Sequence, residues 1–298
     1  MPAILCLGHS ALDTIYSVSE IPATPTKVLA TAFIESGGGM AANASVAASR
    51  LGAQVSYCGR VGNDAAGTTI LAQLVAEHVD VTMVRRIEQC RSPTATILVD
   101  RHGERLVCIY NDPALDPDPS WVPLASIHKF GAVLADVRWP EGAARMLDAA
   151  RAANIPTIFD GDVGPVDALR DLCSRCDYAI FSTAGLALTS GSGNPGDGLR
   201  RAQLLVKGVV GVTLGAEGLL WLEGGVEQRA SAPHISPIDT LAAGDVFHAA
   251  FALAAGEGST VAVAARFANA AAALKCTRFG GRLGAPTRAE VNEFLRSR

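Results

Sequence analysis

Short apolar runs alternate with Ala- and Leu-rich stretches along most of the chain. The apolar runs have the length of buried strands and cover residues 3–8, 54–61, 132–136, 156–160, 178–181 and 208–214. The stretches between them have a helical composition and cover residues 41–51, 65–77, 141–153 and 166–173. Strands that alternate with helices predict an α/β fold, in which a mainly parallel central sheet is flanked by helices on both faces.

Two segments depart from this alternation and predict a small β-lid. Residues 13–36 are extended and polar-alternating, and residues 93–112 contain a hairpin pattern around Arg101-His102-Gly103. We therefore expect one domain over residues 1–298, from which these two segments project as a lid. A lid over a reaction site excludes water from a group transfer.

The composition excludes several classes of protein. The chain has 298 residues, of which 49% are hydrophobic and 18% charged, and its net charge is −4. It is long enough to bury a core, and it lacks the basic face of a nucleic-acid binder. The first residues lack the basic region of a signal peptide. The apolar stretch 261–274 is interrupted by Arg266 and Asn269 and is shorter than the roughly 20 residues of a membrane helix. We expect a core helix there, no membrane partner, and a cytoplasmic protein.

The seven cysteines do not resemble a disulfide framework, because their number is odd and they are scattered. Cys173 and Cys176 form a CxxC pair, but no second pair accompanies them, as a structural zinc site would require. Two ordinary thiols near a helix end are the favoured interpretation.

The first candidate for chemistry is Asp239-Thr-Leu-Ala-Ala-Gly-Asp245, which leads into an apolar helical run. Small residues at 242–244 let the backbone bend around a ligand, and N–H groups at the start of a helix bind anions. A carboxylate beside such an anion site, here Asp245, can take a proton from an attacking hydroxyl group. Phosphoryl transfer requires both parts. The competing interpretation makes Asp245 a capping carboxylate on a buried helix.

The second candidate is the triplet Gly37-Gly38-Gly39, followed by Asn43 in a predicted helix. Glycines permit close approach of the backbone to a ligand. The spacing also fits a dinucleotide fingerprint, but the acidic residue expected about 20 positions later is missing, and Asp64 lies further away. We therefore favour a sugar site, in which Asn43 and backbone amides bind hydroxyl groups, over a nicotinamide-dependent oxidoreductase.

These two segments together make the chain resemble the ribokinase-type, or PfkB-type, carbohydrate kinases over essentially its whole length. The resemblance implies a ribokinase-like fold with a β-lid, ATP with Mg²⁺ as phosphoryl donor, and a homodimer formed through the lid. No GxxxxGK[ST] sequence occurs, so a P-loop kinase is not indicated.

The resemblance also assigns roles to individual residues. Asp245 would be the catalytic base, and the anion hole would be formed by the amides of Ala242, Ala243 and Gly244. The residues that bind the sugar would be Asp13, Gly38, Gly39 and Asn43. The residues that bind the nucleotide would be Thr213, Gly215, Gly218, Asn269 and Gly280. For Asn269, the alternative is a polar side chain satisfied inside a pair of helices.

The sequence departs from the family pattern at two places. Family members commonly have Gly where Ala242 stands, and a Cβ there disfavours positive φ. The family's Asn-x-x-Glu, whose Glu helps to order magnesium, is replaced by Ser182 and Gly185. Magnesium must then be held differently, through water or through Asp160 or Asp162.

The substrate is less firmly indicated. The segments Asp136-Val-Arg138-Trp139, Asp160-Gly-Asp162 and Leu274-Lys-Cys-Thr-Arg278 most resemble 6-deoxy-6-sulfofructose kinases, which phosphorylate the 1-hydroxyl group. Arg138 and Lys27 would bind the sulfonate, although the same cations suit a sugar phosphate. An ion-paired Arg138 and a merely exposed Lys27 are the alternatives. A neutral sugar or nucleoside substrate, and a sensor without turnover, also stay open.

Overall fold

The computed structural model describes residues 2–115 and 117–297, which form two β-sheets and the helices around them. The strands in chain order are β1 (Ala3–Gly8), β2 (Ala11–Ser17), β3 (Ala32–Gly38), β4 (Gln54–Gly62), β5 (Val79–Ile87), β6 (Thr94–Val99), β7 (Arg105–Tyr110), β8 (Ala132–Asp136), β9 (Thr157–Gly161), β10 (Tyr178–Ser182), β11 (Val209–Thr213), β12 (Leu219–Glu223) and β13 (Val226–Ala230). The helices are α1 (Met40–Arg50), α2 (Ala65–Ala76), α3 (Pro140–Ala152), α4 (Val166–Ser174), α5 (Thr183–Ser190), α6 (Pro195–Ala202), α7 (Ala243–Gly256), α8 (Val261–Cys276) and α9 (Arg288–Arg296).

The central sheet has the strand order β13-β12-β11-β10-β9-β8-β1-β4-β5. Neighbouring strands from β5 to β11 pair in parallel, whereas β12 and β13 are antiparallel at one edge. The interior strands β1, β8 and β9 are almost entirely buried, which explains their continuous apolar sequences. The predicted mainly parallel sheet is confirmed.

Helices cover both faces of this sheet. Buried side chains of α1, α2, α7, α8 and α9 form one apolar layer, and those of α3 to α6 form the other. The predicted core helix around residues 261–274 is confirmed as α8, in which Ala264, Ala268 and Ala271 are buried. Among the described residues, no helix has the length and hydropathy needed to cross a bilayer.

The second sheet has the strand order β3-β2-β6-β7 and is formed by the two segments predicted as the lid. One face of this lid sheet buries Ile15 and Ile97 against Leu241. At its tip, Arg105 Nη1 donates a hydrogen bond to Thr240 Oγ1 at 2.6 Å. The lid sheet therefore contacts the loop that precedes α7, and its movement as a lid stays a prediction.

Candidate active site

Five neighbouring strands of the central sheet end together. β1, β8, β9, β10 and β11 are adjacent and parallel, so their carboxyl ends share one edge of the sheet. Open α/β sheets bind their ligands at this edge. Polar residues at or just after these strand ends include His9, Asp136, Arg138, Asp162, Ser182 and Thr213.

The two predicted chemical segments meet at a hydrogen bond between Asn43 and Asp245. Asn43 lies near the start of α1, and Asp245 lies in the first turn of α7. Asn43 Nδ2 donates to Asp245 Oδ2 at 2.7 Å, although 202 residues separate the two positions. Asn43 Oδ1 is buried and has no partner among the described residues, so it can accept a hydrogen bond from a ligand hydroxyl.

The surroundings of Asp245 suit a carboxyl group that titrates near neutral pH. Burial raises the pKa of Asp245 to about 7, and the negative charge of Asp160 acts in the same direction. The hydrogen bond from Asn43 opposes this rise in pKa because it stabilises the ionised carboxylate. A general base is most effective when its pKa lies near the working pH.

The loop before Asp245 ends in an open helix N-terminus. Ala242 caps α7 with φ +64°. This conformation is unfavourable for a residue with a Cβ, whereas the glycine common in the family adopts it readily. Ala243 N donates to Thr240 O at 3.2 Å, whereas a Cβ at Gly244 would meet no atom within 4 Å. The start of α7 can therefore receive an anion. A hole made from the amides of Ala242, Ala243 and Gly244 stays a prediction.

Asp13 and the glycines that end β3 form a wall next to Asn43. A Cβ at Gly38 would lie 1.9 Å from Asp13 Oδ2, so only glycine lets this carboxylate approach the backbone. Asp13 is buried, and burial raises its pKa to about 6. Gly39 has φ +89°, and its carbonyl oxygen accepts from Asn43 N at 2.8 Å. The structure thus brings together the residues predicted to bind the sugar.

Arg282 supports this wall from behind, and sequence analysis does not identify it. The side chain is buried, and a Cβ at Gly37 would lie 1.8 Å from Arg282 Nη2. Gln73 Oε1 accepts from Arg282 Nη2 at 3.1 Å and from Gly37 N at 2.5 Å. The guanidinium therefore packs directly on the glycine backbone, and burial lowers the pKa of Arg282 to about 10.

Two guanidinium groups lie near His9 at the end of β1. Arg138 follows β8 and is half-buried, and Arg60 lies near the end of β4 with its guanidinium carbon 4.3 Å from the centre of the Trp139 ring. Burial, Arg138 and Arg60 together lower the pKa of His9 to about 4. Sequence analysis misses Arg60. The pattern that could have identified it is a basic residue near the end of β4, the strand that pairs with β1. Lys27 lies exposed between β2 and β3, and its role stays a prediction.

The predicted nucleotide segment follows β11. Thr213 ends the strand, and Gly215 has φ +57° with open space where a side chain would stand. Gly218 has φ +88°, and a Cβ there would lie 2.1 Å from Ala230 O. Asn269 Nδ2 donates to the same oxygen at 2.8 Å, so its partner is the end of β13 and not the second helix that the alternative interpretation expects. The nucleotide-binding roles stay predictions.

Gly280, the remaining residue assigned to the nucleotide, lies beneath the lid sheet. Its N–H donates to Asp239 Oδ2 at 3.0 Å, and a Cβ there would lie 3.2 Å from Ile34 Cδ1. In this structure, the Gly280 amide thus fixes the loop before α7.

Close packing explains why the family's acidic residue is absent. Ser182 caps α5: its Oγ accepts from Gly185 N at 3.0 Å and donates to Asp162 Oδ1 at 2.8 Å. A Cβ at Gly185 would lie 1.9 Å from Gly161 O. A glutamate side chain therefore does not fit at this position.

Asp162 suits a magnesium ion better than Asp160 does. Burial and the charges of Asp162 and Asp136 raise the pKa of Asp160 well above its usual range, and Asp160 Oδ2 lies 3.3 Å from His248 Nδ1. Asp162 is partly exposed. Within the described part of the chain, no three His, Cys, Asp or Glu side chains group as a metal site. Mg²⁺ needs only one or two carboxylates besides phosphate and water oxygens, so the donors present fit it.

Comparisons with known proteins agree with this geometry. The family model described as pfkB family carbohydrate kinase matches residues 1–288. The ribokinase of Bacillus subtilis (strain 168) is 32% identical over 298 residues, which cover 99% of this chain and all of that protein. The structure of a putative ribokinase from Agrobacterium tumefaciens superposes with a TM-score of 0.96 at 38% identity, covering 99% of this chain and 98% of the other. Arabidopsis thaliana ribokinase, solved with ribose and ATP, has the same fold, with a TM-score of 0.85 at 24% identity over 99% of both chains. The chain therefore belongs to the pfkB family of carbohydrate kinases and is an ATP-dependent sugar kinase.

Proposed function

We propose that this kinase phosphorylates a primary hydroxyl group of a small anionic ketohexose, with the 1-hydroxyl of 6-deoxy-6-sulfofructose as the acceptor that fits best. The observation that carries the proposal is the pair of guanidinium groups, Arg138 and Arg60, near His9. They lie at the sheet edge where ligands of open α/β sheets bind.

In the proposed reaction, the ionised Asp245 carboxylate accepts the proton of the sugar hydroxyl while the hydroxyl oxygen bonds to the γ-phosphorus of ATP. The bond from that phosphorus to the β,γ-bridging oxygen breaks, and ADP leaves. Amides at the start of α7 face the charge of the transferred group. Mg²⁺ bound with ATP neutralises phosphate charge, and Asp162 would hold it through its free carboxylate oxygen or through water. The lid sheet excludes water from the site.

The two arginines suit a sulfonate or phosphate group for different reasons. Arg138 makes no side-chain hydrogen bond or ion pair with the described residues, so its planar donor set is available to a ligand. Arg60 is fixed by stacking on Trp139. His9 is uncharged at neutral pH because its pKa is lowered to about 4, so the cationic charge of this cluster comes from the arginines.

Ribose is the second candidate substrate, because the Bacillus subtilis relative is a ribokinase. A neutral sugar would use Asp13, Asn43 and the glycine backbone and would not need the guanidinium group of Arg138. The charge of the accepted sugar therefore separates the two candidates.

We also propose that the enzyme is cytoplasmic and forms a homodimer through its lid sheet. Exposed apolar side chains on β3 and β7 support this contact, including Phe33 at 59% and Leu106 at 46% exposure.

The test is ADP release with Mg²⁺-ATP and a panel of 6-deoxy-6-sulfofructose, fructose 6-phosphate, tagatose 6-phosphate, fructose, ribose and adenosine. We expect the highest kcat/KM for the sulfonated sugar. Arg138→Ala should raise the KM for that sugar at least about tenfold while the KM for ATP changes little, because charge-assisted hydrogen bonds are lost. Arg145→Ala removes the same charge from the exposed face of α3 and is the matched control.

Other results would overturn parts of the proposal. Turnover of ribose alone would discard the anionic pocket and keep Asp245 as base. Equal effects of Arg138→Ala on both Michaelis constants would make Arg138 structural. Near-normal kcat in Asp245→Asn would remove the proposed base.

A further inference from the structure

Lys275 is a buried cation whose polar contacts converge on one residue. It lies in the last turn of α8, and its side chain is fully buried. Its Nζ donates to the main-chain oxygen of Asp239 at 2.7 Å and lies 3.0 Å from Asp239 Oδ2. Asp239 is the residue that opens the segment leading to Asp245.

Asp239 is in turn attached to the backbone on several sides. Its carboxylate is buried and accepts from Leu241 N at 2.8 Å, Gly280 N at 3.0 Å and Gly281 N at 2.9 Å. Its own N–H donates to Cys276 O at 3.1 Å. The loop before α7 is therefore fixed to the end of α8 and to the turn that follows it.

Stability alone does not explain an ammonium group at this position. Burial of a charge is unfavourable, and apolar residues of similar volume often stabilise a fold as well as a buried ion pair does. The helix C-terminus favours a cation, but an exposed lysine would gain the same interaction. An apolar residue at 275 would, however, leave the buried Asp239 carbonyl without the hydrogen bond that Lys275 donates and that fixes its position.

The loop that Lys275 holds contains a strained residue. Ala242 adopts φ +64° despite its Cβ, and such a conformation persists only where the surrounding structure enforces it. The contacts of Asp239 with Lys275 and with Leu241 N lie immediately before this residue. A small shift of the loop would turn the amides at the start of α7 away from their target.

We propose that Lys275 is a positioning residue whose ammonium group fixes the loop 239–242 so that the N-terminus of α7 faces the transferred phosphoryl group. Lys275 acts through Asp239 and does not touch the substrate. The inference rests on the proposed function, because the anion site before Asp245 is what the loop has to shape.

The experiment compares Lys275→Met, which keeps the unbranched apolar part of the side chain and removes the ammonium group, with Lys275→Ala, which leaves space for a small ligand. We expect Lys275→Met to lower kcat by about 10- to 100-fold with little change in the KM for the sugar, the pattern of a defect confined to the transition state. Propylammonium, which matches the missing part of the side chain, should raise the kcat of Lys275→Ala. Propanol has a similar shape and no charge and should not. Lys207→Ala, an exposed lysine, controls for general effects of the amine.

The outcomes separate positioning from simple stabilisation. If Lys275→Met keeps a normal kcat while Asp245→Asn is inactive, the inference is wrong and the proposed base stands. If Asp245→Asn is active, the proposed site fails and takes the inference with it. Equal rescue by propanol and propylammonium would show a packing role, and loss of folding in both Lys275 variants would make Lys275 a stabilising residue instead.

Discussion

The hydrogen bond from Asn43 to Asp245 sets the pH at which the proposed base is ionised. It lowers the pKa of Asp245, against the burial and the Asp160 charge that raise this pKa to about 7. Because the base must be ionised, kcat/KM for the sugar should rise with pH through about 7 in the natural enzyme. Asn43→Ala removes the bond, so the pKa should rise further and the limb of the kcat/KM profile should move to higher pH.

This prediction is checked by pH profiles of kcat/KM for the sugar, measured at saturating ATP. Ser45→Ala is the matched control, since Ser45 lies on the same helix and its hydroxyl group donates to Ala41 O, away from Asp245. Profiles of Asn43→Ala and Ser45→Ala that rise at the same pH would contradict the assignment of this limb to Asp245.

Ala242 carries backbone strain that glycine would relieve. The left-handed conformation of Ala242 costs a residue with a Cβ roughly 1–2 kcal/mol. Glycine removes this cost, but the greater entropy of its unfolded chain offsets part of the gain in stability. Ala242→Gly should therefore raise the free energy of unfolding by up to about 1 kcal/mol, measured by urea denaturation. Ala243→Gly, at the first position of α7, has no positive φ to relieve and should not raise the free energy of unfolding. A loss of stability in both variants would be evidence against strain at 242.

At the scale of elements, the packing of α5 leaves no room for the glutamate that the family pattern has at position 185. Its cap, Ser182, and the contact of Gly185 with Gly161 O leave no room for a side chain at 185. Gly185→Ala should lower the free energy of unfolding by about 1–3 kcal/mol, because the clash is with backbone. Gly193→Ala, with no atom within 4 Å of the added Cβ, should change it by less than about 0.5 kcal/mol. Equal denaturation midpoints for the two variants would show that β9 and α5 can move apart without loss of stability.

The elements differ in how well the sequence predicts them. The interior parallel strands are buried on both faces, so continuous apolar runs mark them within one residue at each end. The edge strands β5 and β13 carry many exposed polar positions and have no such run, and sequence analysis misses them. The same limit applies to the site. Motif spacing identifies Asn43 and Asp245, whereas the buried cations Arg282 and Lys275 become visible only when distant segments pack around them.

At the scale of the whole molecule, the lid sheet is a single layer with one covered face. Its other face carries a row of apolar side chains across four paired strands, formed by Phe33, Tyr16, Leu98 and Leu106. The rings of Phe33 and Tyr16 lie 5.4 Å apart. Phe33 and Leu106 of this row are exposed and Tyr16 and Leu98 partly exposed, so the row suits the contact with a second copy that we propose.

The proposed homodimer can be tested on this row. In sedimentation experiments we expect the natural protein to be a dimer and Phe33→Glu/Leu106→Glu to be a monomer, because the interface would have to bury two carboxylates. The variant should also lose sugar kcat/KM if the second copy keeps each lid aligned over its site. Val226→Glu changes an exposed apolar residue on β13, the edge strand of the central sheet, and should change neither the oligomeric state nor kcat/KM. A natural protein that sediments as a monomer with full activity would show that the lid sheet works alone, because the packing of Ile15 and Ile97 on Leu241 and the Arg105–Thr240 bond then suffice to hold it in place.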